Sequence, residues 1–316
     1  MANYVKISCI GPHPYVMDGA IPNEQAVELM IANWRNQLEQ VLPDRPDLIV
    51  LPEVFDRPFM RGYPHERIFD YYRYRKHRLR DFLAETARDN NCYITYPTHL
   101  EMADGSWRNG VQLIGRRGDI VGGYHKNHIV PAEYDRNGVL YGKDADLVAC
   151  DFGTVAFAIC FDLNFEALRL QYESLKPDLI VFPSMYHGSF MQRYWAYSCR
   201  SYFAGAVAGL PCTVLNPVGE VVASSSPQFP FVTTTINLDR AVLHIDENQL
   251  RFGEMKRKYG DRLIIRDPGY LNAVLLTSES DSFTVDDVIA EFGLETVDGY
   301  FNRCLTHRAV EGHVEK

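Results

Sequence analysis

Asp47-Leu-Ile-Val-Leu-Pro-Glu53 decides the fold, and Asp178-Leu-Ile-Val-Phe-Pro183 repeats its pattern. Each begins with an acid, runs through consecutive branched apolar residues and closes on proline. No polar residue alternates with the apolar ones, so both faces of the strand are buried, as in a parallel sheet covered by helices. The echo leaves two explanations open: a duplicated βα half, or two independent solutions to one burial problem.

The same alternation extends outward from these strands. Residues 5–10 form a short apolar run, and 23–42 follow with helical spacing (Ala26, Leu29, Met30, Trp34, Leu38, Val41) between Pro22 and Pro43. Helix is expected over 78–89 and strand over 92–97, then strands over 110–115 and 120–124 joined at Arg117-Gly118-Asp119. The second half runs strand 154–160, helix 165–175, strand 178–183, a long helix 191–208, and strands 212–216, 220–223 and 232–237. This is an α/β chain whose sheet is largely buried under helices. No Gly/Ser-rich or Pro-rich linker divides it, so one domain is expected over 1–240. Residues 241–316 lack the alternation and are expected to be a C-terminal extension packed on that domain or on a partner subunit.

The 316 residues carry 32 Lys and Arg against 41 Asp and Glu, a formal charge of −9. Apolar residues at 46% and charged residues at 23% exclude a disordered or collagen-like chain. The acidic balance argues against nucleic acid as a partner. Seven acids and no Lys or Arg lie between Glu279 and Tyr300, whereas Arg73, Arg75, Lys76, Arg78 and Arg80 form a basic run. Such a run either grips phosphate or, more commonly, is a solvated helix face. No basic segment leads into an apolar one at the N-terminus, and no window approaches the ~18 continuous apolar residues of a membrane span. The seven cysteines are odd in number and unpaired in spacing, so a reducing compartment, the cytoplasm, is expected.

Cys-x-x-Cys, His-Glu-x-x-His, Gly-x-Ser-x-Gly, P-loop and dinucleotide-binding motifs are all absent. His125 and His128 have ligand spacing but no carboxylate or thiol placed beside them, so neither metal nor cofactor is expected. Three buried strands instead end in reactive side chains: Glu53, Lys126 and Cys160. Ligands bind at the carboxyl ends of parallel strands. Taken singly, each residue has a bland explanation: a solvated carboxylate, a loop lysine, a small buried hydrophobe. Together they are sufficient for acyl transfer from an amide. A carboxylate takes and returns the thiol proton, the thiolate attacks, and the ammonium stabilises the oxyanion.

In these stretches the chain resembles the nitrilase superfamily of carbon–nitrogen hydrolases. The carrying motifs, in order, are Asp47–Glu53, Gly62-Tyr63-Pro64, Tyr124-His-Lys126 with Val130-Pro-Ala-Glu133, Ile159-Cys160-Phe-Asp162, Asp178–Ser184 and Leu215-Asn-Pro-Val-Gly-Glu220. The resemblance covers roughly residues 3–240. It implies an α-β-β-α four-layer sandwich that forms a homodimer or higher homo-oligomer. It also implies Cys160 as nucleophile, Glu53 as general base, Lys126 and the Phe161 N–H as oxyanion stabilisers, and Glu133 as the glutamate that places substrate and water.

Asn164, Phe165 and Glu166 stand where many amidase-type members carry Arg and then Pro-Glu. Phe161-Asp162 stands where nitrilases carry Trp-Glu. An amide or carbamoyl substrate is therefore expected over a nitrile. Phe59, Tyr63, Phe161, Tyr186 and His187 are the expected pocket residues, with Arg193 or Arg200 a possible carboxylate partner. Three other readings stay open at this point: an amidotransferase or N-acyltransferase using the same site, an inert scaffold of the same fold, and a Cys–His hydrolase using His187 or His128.

Overall fold

The computed structural model describes residues 1–60 and 66–315. Two six-stranded sheets pack face to face. In the first, the order is Phe231–Asn237, Tyr4–Ile10, Leu48–Val50, Tyr93–Glu101, Trp107–Ile114, Ile120–His125. In the second it is Val221–Ser224, Thr213–Leu215, Tyr202–Val207, Leu179–Ser184, Gly153–Phe157, Val148–Cys150. The two echoing hexapeptides occupy matching places. Leu48–Val50 and Leu179–Ser184 each lie between two parallel neighbours, and every residue of both strands is buried. The apolar runs mark this double burial.

Helices Asn23–Leu38 and Arg78–Asn90 cover the first sheet, burying Ala26, Met30, Trp34, Leu83 and Ala87 in one cluster with Ile49, Leu51, Ile94 and Tyr96. Helices Glu166–Leu175 and Phe190–Cys199 cover the second, where Trp195 and Tyr172 meet edge to face at 6.3 Å. Both indole and phenol reach carbonyl partners, Leu163 and Phe157, as buried polar tips require. This is the α-β-β-α sandwich. Between its sheets the backbones come close: a Cβ on Gly11 would sit 2.3 Å from the Val207 carbonyl oxygen and 2.6 Å from Cys212 Sγ.

Three elements differ from expectation. The helix expected over 191–208 ends at Cys199, because Arg200 turns left-handed at φ +54° and Tyr202–Val207 becomes a central strand. Its Ala-Gly-Ala core carries no periodicity of its own, so burial on both faces decides the element. The strand expected over 154–160 stops at Phe157, and Cys160 opens a 3-10 turn, Cys160–Asn164. The basic run is not uniformly solvated. Arg75 is buried, with Nε 2.7 Å from Asp56 Oδ2 as an ion pair rather than an aligned hydrogen bond, and its other nitrogens donate to Tyr96 and Thr98.

The chain divides into two compact units, 5–236 and 1–4 with 237–316. The second holds an antiparallel sheet of Arg240–His244, Ala273–Ser278 and Leu263–Arg266, with helices Gln249–Tyr259, Val285–Phe292 and Val297–Arg308. Its acids are used locally. Thr284 and Asp287 cap a helix start, where negative charge suits the dipole, and Glu295 pairs with Arg303 at 2.7 Å. Among the described residues no helix is long and apolar enough to cross a membrane.

Candidate active site

Glu53 follows Pro52 at the end of the strand Leu48–Val50, and the next residue, Val54, has φ +43°. A β-branched residue there is strained, and this turn follows Glu53 at the carboxyl end of a central strand. Lys126 lies just past Ile120–His125, its N–H bonded to the Asn109 carbonyl at 2.8 Å. Glu133 lies in the first turn of the helix Pro131–Asn137, and its Oε2 accepts from the Val130 N–H at 3.0 Å. Cys160 sits at φ +50° on its 3-10 turn.

These four residues line one cavity of about 270 Å³. Lys126, only 2% exposed, places Nζ 2.8 Å from Glu53 Oε1 and 3.0 Å from Glu133 Oε2. Burial alone would pull its ammonium down, but the two carboxylates outweigh it and hold it above the usual lysine range. Asn109 completes the frame, with Nδ2 2.8 Å from both Glu53 Oε1 and Glu133 Oε1. An amide NH2 has two hydrogens for two acceptors, and the flipped amide would set its oxygen against both carboxylates. The Met185 N–H reaches Glu53 Oε2 at 3.1 Å. Burial raises the Glu133 carboxyl, yet Lys126, Asn109 and the Val130 N–H together hold it below the ordinary range.

The Cys160 thiol is pushed up to about 12, first by burial and then by the Glu53 charge and its hydrogen bond to Glu53; Lys126 and the Met185 N–H act against this. The resting sulfur therefore keeps its proton. Asp162, fully buried, ties the thiol's turn to the lysine loop. Its carboxylate accepts from Ile159 N at 3.0 Å, Tyr124 Oη at 2.8 Å and His128 N at 2.8 Å.

The structure brings Glu53, Lys126, Glu133 and Cys160 together and leaves other expected pocket residues outside that lining. Phe59 flanks a recess of about 30 Å³ that it shares with Glu53 and Met185. Tyr186 Oη reaches Asn164 Oδ1 at 3.3 Å, and His187 Nδ1 accepts from Ser189 N at 3.1 Å. The Phe161 ring packs edge-on to Phe165, which stacks on His128 at 4.0 Å. His128 is further engaged by Asp162, and Tyr63 lies outside the described residues. Arg57 and Arg136, not Arg193 or Arg200, line the cavity. Sequence reasoning also missed Asn109. Its one signal is a polar residue at a buried position of the strand Trp107–Ile114, whose other polar residues, Arg108 and Gln112, are only half-buried.

Residues 20–248 match the family model for carbon–nitrogen hydrolases. The chain belongs to the carbon–nitrogen hydrolase family. It is a carbon–nitrogen hydrolase. The chain is 25% identical over 215 residues to the zebrafish (Danio rerio) protein called omega-amidase NIT2, covering 60% of this chain and 76% of that one. It is 26% identical over 216 residues to an Arabidopsis thaliana beta-ureidopropionase, covering 58% and 52%. Among solved structures, a carbon–nitrogen hydrolase from Helicobacter pylori superimposes with a TM-score of 0.61 at 16% identity, over 81% of this hydrolase and 93% of that chain. That likeness carries the fold.

Proposed function

We propose that the chain hydrolyses a small amide or N-carbamoyl substrate through a thioester on Cys160. The observation that carries this reading is the pair Glu53 and Glu133, sharing Lys126 and Asn109 in the cavity that Cys160 also lines. A thiol near 12 is only about one part in 10⁵ thiolate at pH 7, so a base must act during attack itself. Glu53 takes the proton as sulfur bonds to the carbonyl carbon. The oxygen becomes an oxyanion facing the Lys126 ammonium and the Phe161 N–H. Collapse breaks the C–N bond, Glu53 returns the proton to the leaving nitrogen, and ammonia or an amine departs. Water then gives a proton to Glu53 and its oxygen attacks the thioester, placed by Glu133. The C–S bond breaks and sulfur recovers its proton.

Quenched incubation with an amide, followed by intact mass, should show an acyl adduct on Cys160, and Cys160→Ala should release no ammonia. Ammonia release by that variant would reject the reading. Hydroxamate formation with added hydroxylamine reports the thioester, and mass spectrometry of the products with and without an ordinary amine separates hydrolysis from acyl transfer. Seven free thiols support a reducing compartment, the cytoplasm. Exposed Leu170, Leu175, Phe190 and Tyr194 on the two helices over the second sheet support a homodimer or higher homo-oligomer, which sedimentation tests.

A further inference from the structure

The turn that follows Glu53 is pinned from behind. Val54 holds φ +43°, a conformation that persists only where its surroundings over-determine it. The Phe55 N–H bonds to the Pro97 carbonyl at 3.1 Å, and the Trp34 indole donates to the Phe55 carbonyl at 2.9 Å. Asp56 is fully buried, and its Oδ1 accepts from Thr98 Oγ1 at 2.6 Å. Pro97 and Thr98 belong to Tyr93–Glu101, the parallel neighbour of Leu48–Val50.

Arg75, the buried member of the basic run, closes this bracket. It stands at the last position of the helix Glu66–Arg75. Its Nε lies 2.7 Å from Asp56 Oδ2. Nη2 donates to Thr98 Oγ1 at 2.7 Å and to the His99 carbonyl at 3.2 Å, and Nη1 to Tyr96 Oη at 2.6 Å and the Lys76 carbonyl at 2.7 Å. One planar fork thus ties the Glu53 turn to the strand that carries His99, which lines the Cys160 cavity. Burial raises the Asp56 carboxyl even against Arg75 and Thr98, so a charge there requires its arginine.

We infer that Arg75 is a positioning residue: through Asp56 it fixes the turn from which Glu53 reaches the reacting atoms. The inference rests on the reading of Glu53 as general base. Lys126, Asn109 and the Met185 N–H hold the tip of the Glu53 side chain. Arg75 holds the backbone just beyond its root. A base must stand within hydrogen-bond reach of the proton it takes, and a displacement of about 1 Å costs about a hundredfold in rate. Arg75 acts through another residue, so its loss falls on kcat rather than on KM.

The test compares wild type with Arg75→Met, Arg75→Lys, Thr98→Val and the double variant Asp56→Asn with Arg75→Met. The substrate is whichever of a panel of small amides and N-carbamoyl amino acids the wild type turns over fastest, and circular dichroism checks that each variant is folded. Arg75→Met should lower kcat about a hundredfold with KM within about threefold, and Arg75→Lys should regain part of the loss. The double variant no longer buries a bare charge, so it should recover stability towards urea yet stay about as slow as Arg75→Met. Thr98→Val keeps the ion pair and should lower kcat about threefold to tenfold, the range of one lost hydrogen bond. Wild-type kcat in folded Arg75→Met or in the double variant, or a loss carried by KM, overturns the inference. Should Arg75→Met not fold, the double variant and Thr98→Val decide, and an unchanged kcat in either overturns it. Glu53→Gln separates the two readings. If it abolishes turnover while the Arg75 variants keep theirs, the positioning role alone fails; if it keeps turnover, the reading of Glu53 as base falls as well.

Discussion

Asn109 is the most informative residue to change. Its NH2 supplies one hydrogen bond to each catalytic-site carboxylate, and Asn109→Leu removes both with little change of volume. Hydrogen bonds to charged groups contribute about 1.5–3 kcal/mol each. Glu133 is 15% exposed and recovers water in part, whereas Glu53, at 5%, does not. The expected loss of stability is therefore about 2–4 kcal/mol, below the doubled single-bond figure.

The variant also has a pH signature. Asn109 is among the groups that hold Glu133 below its ordinary range. A depressed carboxylate contributes stability that is present above its unfolded value and is lost as pH falls through the folded one. Wild type should thus lose this contribution only below the ordinary glutamate range, near 4.5. Asn109→Leu should have less of it to lose, so its deficit relative to wild type should narrow under acid. Urea unfolding at pH 7 and at pH 4 measures both, and kcat/KM should fall about a hundredfold as Glu53 loses its placement. A stability change under about 0.5 kcal/mol with activity within threefold would refute the shared frame.

Three further outcomes follow from other sites. Alkylation of Cys160 by iodoacetamide should be slow at pH 7 and rise about tenfold per pH unit into the alkaline range, because the thiol is pushed up to about 12; a fast, pH-independent reaction would contradict that. Slow labelling is thus expected of the resting enzyme and does not separate it from an inert scaffold; turnover does. Gly11→Ala should destabilise by at least about 2 kcal/mol, since its Cβ would meet the Val207 oxygen at 2.3 Å, and an unchanged melting temperature would show that the sheets part easily. Arg75→Met should cost about 3–5 kcal/mol by leaving Asp56 buried without its partner, checked by urea unfolding; a neutral result would mean that water reaches Asp56.

Periodicity and strand ends made much of this site legible. The two apolar hexapeptides marked the sheet centres because double burial shows in consecutive residues. Glu53 was readable because it stands just past a buried apolar run; Lys126 was expected at the end of another, but Ile120–His125 is a largely exposed antiparallel edge strand. The turn at Cys160 was not, since a left-handed φ at a non-glycine residue leaves no mark in composition. Nor was Tyr202–Val207, whose small residues suit a helix equally well until a central place in the second sheet leaves all six residues buried.

By itself, the sequence determined which segments are buried, their order, and which reactive side chains stand at their ends. These are local properties, written in neighbouring residues. The tertiary structure decided the partnerships. Asn109 meets Glu53 across 56 positions and Lys126 meets Glu53 across 73. Asp162 locks the thiol turn to the lysine loop, and Arg57 and Arg136, rather than Arg193 or Arg200, face the cavity. Such contacts depend on strand register and on how two sheets close against each other. A single strand's pattern carries its own burial but not the identity of what it is buried against.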